Sequence, residues 1–375
     1  MSSLKDLQSL GQSVWLDFIS RDLVASGELA RLVSAGLRGL TSNPAIFEKA
    51  VGQGTDYAVE IAELARAGHD ARAIYERVAI RDIQSAADAL RPVYDATAGA
   101  DGFVSLEVSP DLADDTDGTL SEARRLWREV ARPNLMVKVP GTPAGVPAIR
   151  ELITEGISVN VTLLFSQQAY ESVAAAYIDG LEARALLGAD LARVAGVASF
   201  FVSRIDSAVD ALLDRRIAAI AANNATARGV LAALKGRVAI ANARLAYHHY
   251  QSLTAGRRWQ ALAAKGARPQ RLLWASTSSK NPAYRDVIYV EELIGAETVN
   301  TLPPATLEAF LDHGVAKPAI TKDVEGARHV LVELARDGIS LDAVTDELLR
   351  DGVKLFAEAF AKLLAAVNAQ AGKVK

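Results

Sequence analysis

The chain of 375 residues contains no cysteine. That removes disulfides, thiolate nucleophiles and Cys-ligated zinc or iron–sulfur sites. Histidine is scarce: His69, His248, His249, His313 and His329 fall mostly in helical or loop text, and no HExxH-type spacing joins them, so no histidine metal site is expected. There is no P-loop and no GxGxxG fingerprint. Long basic runs are also missing and the formal net charge is -4, which argues against a nucleic-acid partner. No stretch approaches the roughly 20 apolar residues of a membrane span. The opening text MSSLKDLQSL places Asp6 and Gln8 where a signal peptide has its apolar core. A cytoplasmic protein with neither nucleic-acid nor membrane partner is the expectation.

What is present is a folded globule: 50% of residues are apolar and 23% charged, enough for a large core. The text alternates short strand-like runs with helix-length segments. SVWLDFIS, GLRGLTSNP, DGFVSLEVS, NLMVKVP, ISVNVTLLFS, GVASFFVSRID, QRLLWASTS and ETVNTLPP read as eight strands. Helices are expected around 21–35, in two runs within 55–98, and around 119–131, 144–155 and 167–186. A long helical insertion is expected at 205–266 and a helical tail at 305–375. Strands separated by helices imply a parallel sheet, because a parallel crossover needs a dozen or more residues.

An open doubly wound sheet and a closed barrel both fit eight strands, but the first has strands that are apolar on both faces. Here they alternate. Phe103, Ser105 and Glu107 share a face, as do Ser158, Asn160 and Thr162; Asp17 joins Trp15, Thr41 joins Asn43, and Lys138 joins Met136. Polar residues near the C-terminal ends of parallel strands converge at the mouth of a (β/α)8 barrel, where active sites lie. A single TIM-barrel domain over 1–375, with additional helices, is therefore expected.

Lys138 sits between Val137 and Val139 in the fourth strand. Burial of an ammonium is expensive and favours the neutral amine, which is the form that attacks carbonyls. Two other roles compete: a side chain that snorkels to solvent, and a structural ion pair with Glu107. Facing a barrel interior beside Glu107 and Thr162, the lysine suits Schiff-base chemistry, in which an iminium acts as the electron sink for an adjacent carbon–carbon bond. Such a site needs a carboxylate to move protons and hydroxyl or amide groups to hold polyols. Asp17, Glu107, Asn43, Asn160, Thr162 and Ser199 supply both. Pyridoxal phosphate also uses a lysine imine and stays open on these residues alone. Arg204 and Lys280, just past strands six and seven, are candidates for a phosphate clamp, or ordinary solvated loop residues.

LTSNPAIF, NLMVKVPGTPAG, SVNVTLLFS, FFVSRID and LLWASTSSKNP, in that order, resemble the segments of transaldolases across nearly the whole chain, and the length is similar to the longer bacterial form. The resemblance implies a cofactor-independent (β/α)8 enzyme of the non-oxidative pentose phosphate pathway that moves a dihydroxyacetone unit between sugar phosphates. It implies that Lys138 forms the Schiff base, that Glu107 works through a bound water held by Thr162, and that Asp17 is the acid–base group at the substrate hydroxyls. Asn43 and Asn160 are then expected to bind the dihydroxyacetone moiety, with Thr41 and Ser105 lining the pocket. Ser199, Phe201 and Arg204 match the substrate wall and phosphate segment. One departure stands out: shorter transaldolases carry an arginine two places after the serine matching Ser276, whereas this chain reads STSSKN and offers Lys280 instead. A lysine gives a point charge where arginine gives a fork. An aldolase that releases dihydroxyacetone, and a catalytically silent sugar-phosphate-binding barrel, are the competing functions. The chain is expected to act as a monomer or homodimer.

Overall fold

The computed structural model describes residues 3–53 and 56–372. Its eight strands are β1 (Gln12–Leu16), β2 (Gly39–Thr41), β3 (Phe103–Glu107), β4 (Leu135–Pro140), β5 (Val159–Leu164), β6 (Gly196–Phe201), β7 (Arg271–Ala275) and β8 (Thr298–Leu302). All pairings are parallel and follow chain order, and β8 returns to β1, so the sheet closes. Helices fill the crossovers. The expected (β/α)8 barrel is the architecture found. Among the described residues no helix is long and apolar enough to cross a membrane.

The strand text explains the closure. Residues of one parity, such as Val104, Leu106, Val137, Val139, Val159 and Val161, pack outward against the helical ring and are fully buried or nearly so. Each large apolar side chain removed from water in this way contributes roughly 1.5–3 kcal/mol. Residues of the other parity point inward and carry the polar groups. At the N-terminal floor these are structural: Trp15 Nε1 donates to Asp101 Oδ1 at 3.0 Å, and Arg271 holds Ser13 Oγ at 2.9 Å and Asp101 Oδ1 at 3.2 Å. At the opposite, C-terminal end they form the site described below.

Three expectations change in detail, two for helices and one for a strand. The segment around 21–35 is two helices, Arg21–Ala25 and Glu28–Ala35, divided at Gly27, whose φ of +82° ends one turn and starts the next. The insertion is four helices, Ser203–Ala219, Ala225–Ala232, Val238–Ala255 and Arg257–Ala263, broken by the Asn224 cap, by Gly236 at φ +69° and by Gly256. The first strand stops at Leu16, before the polar Asp17, and the next helix opens on the Ser20 cap.

Buried carboxylates tie the insertion to the barrel. Asp206 accepts from Ala239 N–H at 2.8 Å and from the Tyr289 hydroxyl at 2.8 Å, while Asp210 accepts from Gly236 N–H at 3.1 Å. The tail comprises helices Pro304–His313, Val324–Arg336 and Leu341–Gly372. The last of these, 32 residues long, does not join the outer ring alone but packs on the helix Pro44–Gln53 and reaches β5 at the mouth.

Candidate active site

β3 and β4 pair so that Glu107 stands in register with Lys138, and β5 adds Asn160 beside that lysine. Inward parity puts both charged side chains inside the barrel. Lys138 Nζ lies 3.3 Å from Glu107 Oε2 and 3.2 Å from the Ser42 carbonyl oxygen, and both residues are buried. Burial pushes the Glu107 carboxyl above the usual carboxylate range, against the pull of the Lys138 ammonium. Its other oxygen, Oε1, is buried and finds no hydrogen-bond partner among the described residues; the same is true of Thr162 Oγ1. A buried polar atom left unpaired costs about 1–3 kcal/mol. Each such atom calls for an explanation, and here, beside Lys138, a substrate or its water supplies one.

One layer up, Asp17 follows β1 and accepts a hydrogen bond from Thr41 Oγ1 at 2.9 Å, which fixes the carboxylate across the first two strands. Asn43 Oδ1 accepts from Ile46 N–H at 3.0 Å at the start of the helix Pro44–Gln53. Beneath them runs a short polar ladder. Asn160 Nδ2 donates to Ser105 Oγ at 3.0 Å, and Ser199 Oγ donates to Asn160 Oδ1 at 2.7 Å. Ladders of this kind lock each rotamer by using both ends of the amide.

These groups surround a cavity of about 320 Å³ at the barrel mouth. Of the residues singled out from the sequence, Asp17, Thr41, Asn43, Lys138, Thr162, Ser199, Phe201, Arg204, Ser276 and Lys280 line it. Glu107 lies against Lys138 at its base. Ser105 and Asn160 do not reach the lining; they sit in the ladder below, fully buried.

Cations occupy one side. Arg204, at the start of the helix Ser203–Ala219, lies 5.5 Å from the Phe201 ring centroid, and burial lowers its guanidinium from the ordinary value while Asp17 opposes that change. Lys280 Nζ donates to Ser278 Oγ at 2.7 Å. Desolvation against the cavity wall, and then the Arg204 cation, pull its ammonium below the ordinary value. Ser276 adopts φ +56° just past β7 and its hydroxyl is 3.1 Å from that of Ser203, joining the two segments that carry the cations. A left-handed serine is uncommon and persists where its surroundings impose it.

A buried lysine at the cavity base with the Glu107 carboxylate against it, Asp17 just past β1, an unpaired Thr162 hydroxyl and a cationic wall make a site suited to imine chemistry on a phosphorylated polyol. Residues 14–367 match the family model described as Transaldolase/Fructose-6-phosphate aldolase. The chain belongs to this family. It is 50% identical over 369 residues to the transaldolase of Thiobacillus denitrificans, covering 98% of this chain and all of that protein. It is 47% identical over 375 residues to the transaldolase of Trichodesmium erythraeum, with 99% and 97% covered, and 47% identical over 365 residues to that of Neisseria gonorrhoeae, with 97% and 99% covered.

Among the lining residues that reading the sequence did not single out, Lys49 and Phe356 matter most. Lys49 projects from the helix Pro44–Gln53 as a third cation on the cavity, and its charge is felt at Lys280. The text NPAIFEK held a weak pointer, because the helix begins at the mouth and its second turn stays near it. Phe356 comes from the helix Leu341–Gly372. No local pattern distinguishes it from an ordinary core phenylalanine.

Proposed function

We propose that the chain is a transaldolase, moving a dihydroxyacetone unit from sedoheptulose 7-phosphate to glyceraldehyde 3-phosphate to give erythrose 4-phosphate and fructose 6-phosphate. The observation that carries the reading is the Lys138 amine at the cavity base, in register with Glu107 and 3.3 Å from it. The amine adds to the ketone carbon of the donor. Proton transfer through Glu107, with Thr162 holding the water, expels hydroxide as water and leaves the iminium. Asp17 takes the proton from the C4 hydroxyl as the C3–C4 bond breaks. The electron pair passes into the iminium, giving an enamine, and the aldehyde departs. The acceptor aldehyde is then attacked by the same carbon, Asp17 returns the proton to the new hydroxyl, and water restores the amine and the ketose.

Arg204, Lys280 and Lys49 bind the phosphate, whose charge suits a wall of cations. Asn43 and the ladder of Ser105, Asn160 and Ser199 orient the dihydroxyacetone hydroxyls, Asn160 acting from below. All these groups come from one chain, so a monomer or a homodimer in the cytoplasm suffices. The full-length likeness to proteins named transaldolase favours transfer over simple aldol cleavage.

Two measurements test the proposal. Fructose 6-phosphate with borohydride should leave a secondary amine on Lys138 alone, located by peptide mapping. Products from fructose 6-phosphate should depend on erythrose 4-phosphate as acceptor. A label on Lys280 or Lys322, or full activity in Lys138→Ala, contradicts the Schiff-base role; rapid dihydroxyacetone release without acceptor identifies an aldolase instead.

A further inference from the structure

Phe356 lies on the helix Leu341–Gly372, which follows the last strand of the barrel. Gly352, Phe356 and Phe360 are spaced by four residues, so one face of the helix Leu341–Gly372 presents all three. Gly352 allows close approach: a Cβ there would stand 2.9 Å from Leu163 Cδ2. Leu163 itself holds φ +61° at the irregularity of β5, directly after Thr162. A leucine in this conformation is an outlier that the surrounding packing must impose. Phe360 fixes the other end, edge-on to Tyr75 at 5.6 Å and under the Arg72 guanidinium at 5.4 Å. Between these two anchors the Phe356 ring is only 9% exposed, lines the cavity and has its centroid 5.8 Å from Lys138 Nζ.

We propose that Phe356 shields the covalent intermediate on Lys138 and thereby sets how that intermediate divides between transfer to an acceptor and release into water. The inference rests on the Schiff-base reading. Once the first aldehyde leaves, the enamine has two fates. It attacks an acceptor aldehyde, or its carbon takes a proton and water adds to the iminium carbon, after which the carbinolamine breaks to dihydroxyacetone and free amine. Hydrolysis of the transfer product uses the water held by Thr162, whereas the second route begins with solvent delivering a proton to the enamine carbon. An apolar ring against the intermediate takes up the space that solvent would use. The two anchors explain why the ring keeps its place when the site empties between the two half-reactions.

The experiment uses the full chain with fructose 6-phosphate and erythrose 4-phosphate and reads the ratio of dihydroxyacetone released to sedoheptulose 7-phosphate formed, in wild type, Phe356→Ala, Phe356→Val and Phe356→Leu. Alanine should raise the ratio about tenfold, valine should raise it less, and leucine, which keeps most of the bulk, should stay near wild type. A residue needed only for packing would lower both products together and leave the ratio unmoved. Borohydride labelling of Lys138 is followed in every variant. A ratio in Phe356→Ala that changes by less than about threefold while Lys138 is still labelled overturns the shielding role and leaves the Schiff base standing. Absence of label in wild type removes the Schiff base, and the shielding role with it. If the alanine variant does not fold by near-ultraviolet circular dichroism, the valine variant is held to the same threshold.

Discussion

Lys138 and Glu107 face each other in register from adjacent strands, with Nζ 3.3 Å from Oε2. Asp17 stands on another strand end, tied to Thr41. The two carboxylates are therefore placed where they would face different atoms of a bound donor. Glu107→Gln is expected to slow imine formation and hydrolysis, and Asp17→Asn to slow carbon–carbon cleavage, each by about 100-fold to 10,000-fold. Rapid-mixing kinetics resolve the steps. The same step impaired in both variants would contradict this division.

The cationic wall makes a separate prediction. Arg204→Ala or Lys280→Ala should raise KM for phosphorylated sugars by about 10-fold to 100-fold, the range expected when a charge-assisted hydrogen bond is lost. Turnover of free dihydroxyacetone with unphosphorylated glyceraldehyde as acceptor should barely change. Lys49→Ala should act in the same direction with a smaller effect, because Lys49 is exposed. Equal losses with and without a phosphate on the substrate would remove these residues from the clamp.

Stability should depend on pH through Asp206. Burial pushes its carboxyl up to about 6, although bonds from the Ala239 N–H and the Tyr289 hydroxyl favour the charged form. In the unfolded chain an aspartate titrates near its ordinary value of about 3.9. Between these values the folded chain binds more protons than the unfolded one, so stability falls as pH rises. The contribution is fully present below about pH 4 and lost above about pH 6, a change of about 3 kcal/mol. Asp206→Asn should flatten that slope in thermal melts across the same interval. A wild-type minus variant difference that is constant with pH would disprove the assignment.

Two glycines should respond in opposite ways to alanine. A Cβ on Gly145 would lie 2.0 Å from the Pro140 carbonyl oxygen, in the turn that follows β4 and whose Thr142 Oγ1 accepts from the Gly145 N–H. Backbone cannot yield cheaply there, so Gly145→Ala should cost about 3 kcal/mol. Gly229 lies in the exposed helix Ala225–Ala232 with open space around it, and Gly229→Ala should stabilise by about 0.4–1 kcal/mol. Melting temperatures that move in the same direction would refute the contrast.

Much of this arrangement is legible in the sequence because barrel strands obey a strict period of two. Once Glu107 and Lys138 are each assigned to the inward parity, their meeting follows from strand neighbourhood alone. Thr162, Asn160 and Ser199 follow by the same rule. What escapes is whatever the period does not govern. Ser105 and Asn160 share that parity but lie one layer too deep to line the cavity, and depth depends on strand stagger. Lys49 is an exposed helical lysine among many, and only the start of its helix at the mouth gives it a role. Phe356 depends on a docking between a distant helix and β5 that requires Gly352 to lack a side chain and Leu163 to hold a left-handed backbone. Neither condition has a signature in local composition.

The closure of β8 on β1 has a consequence for how the molecule is made. Synthesis proceeds from the N-terminus, and domains gather as the chain emerges. β1 therefore waits with one edge unpaired until Thr298–Leu302 has left the ribosome, and the helix that carries Phe356 follows later still. An open edge is a template for pairing with other chains. The interval between β1 and β8 is one in which the nascent chain carries an open strand edge, and Lys138, already placed on β4, meets Phe356 only after β8 has been made.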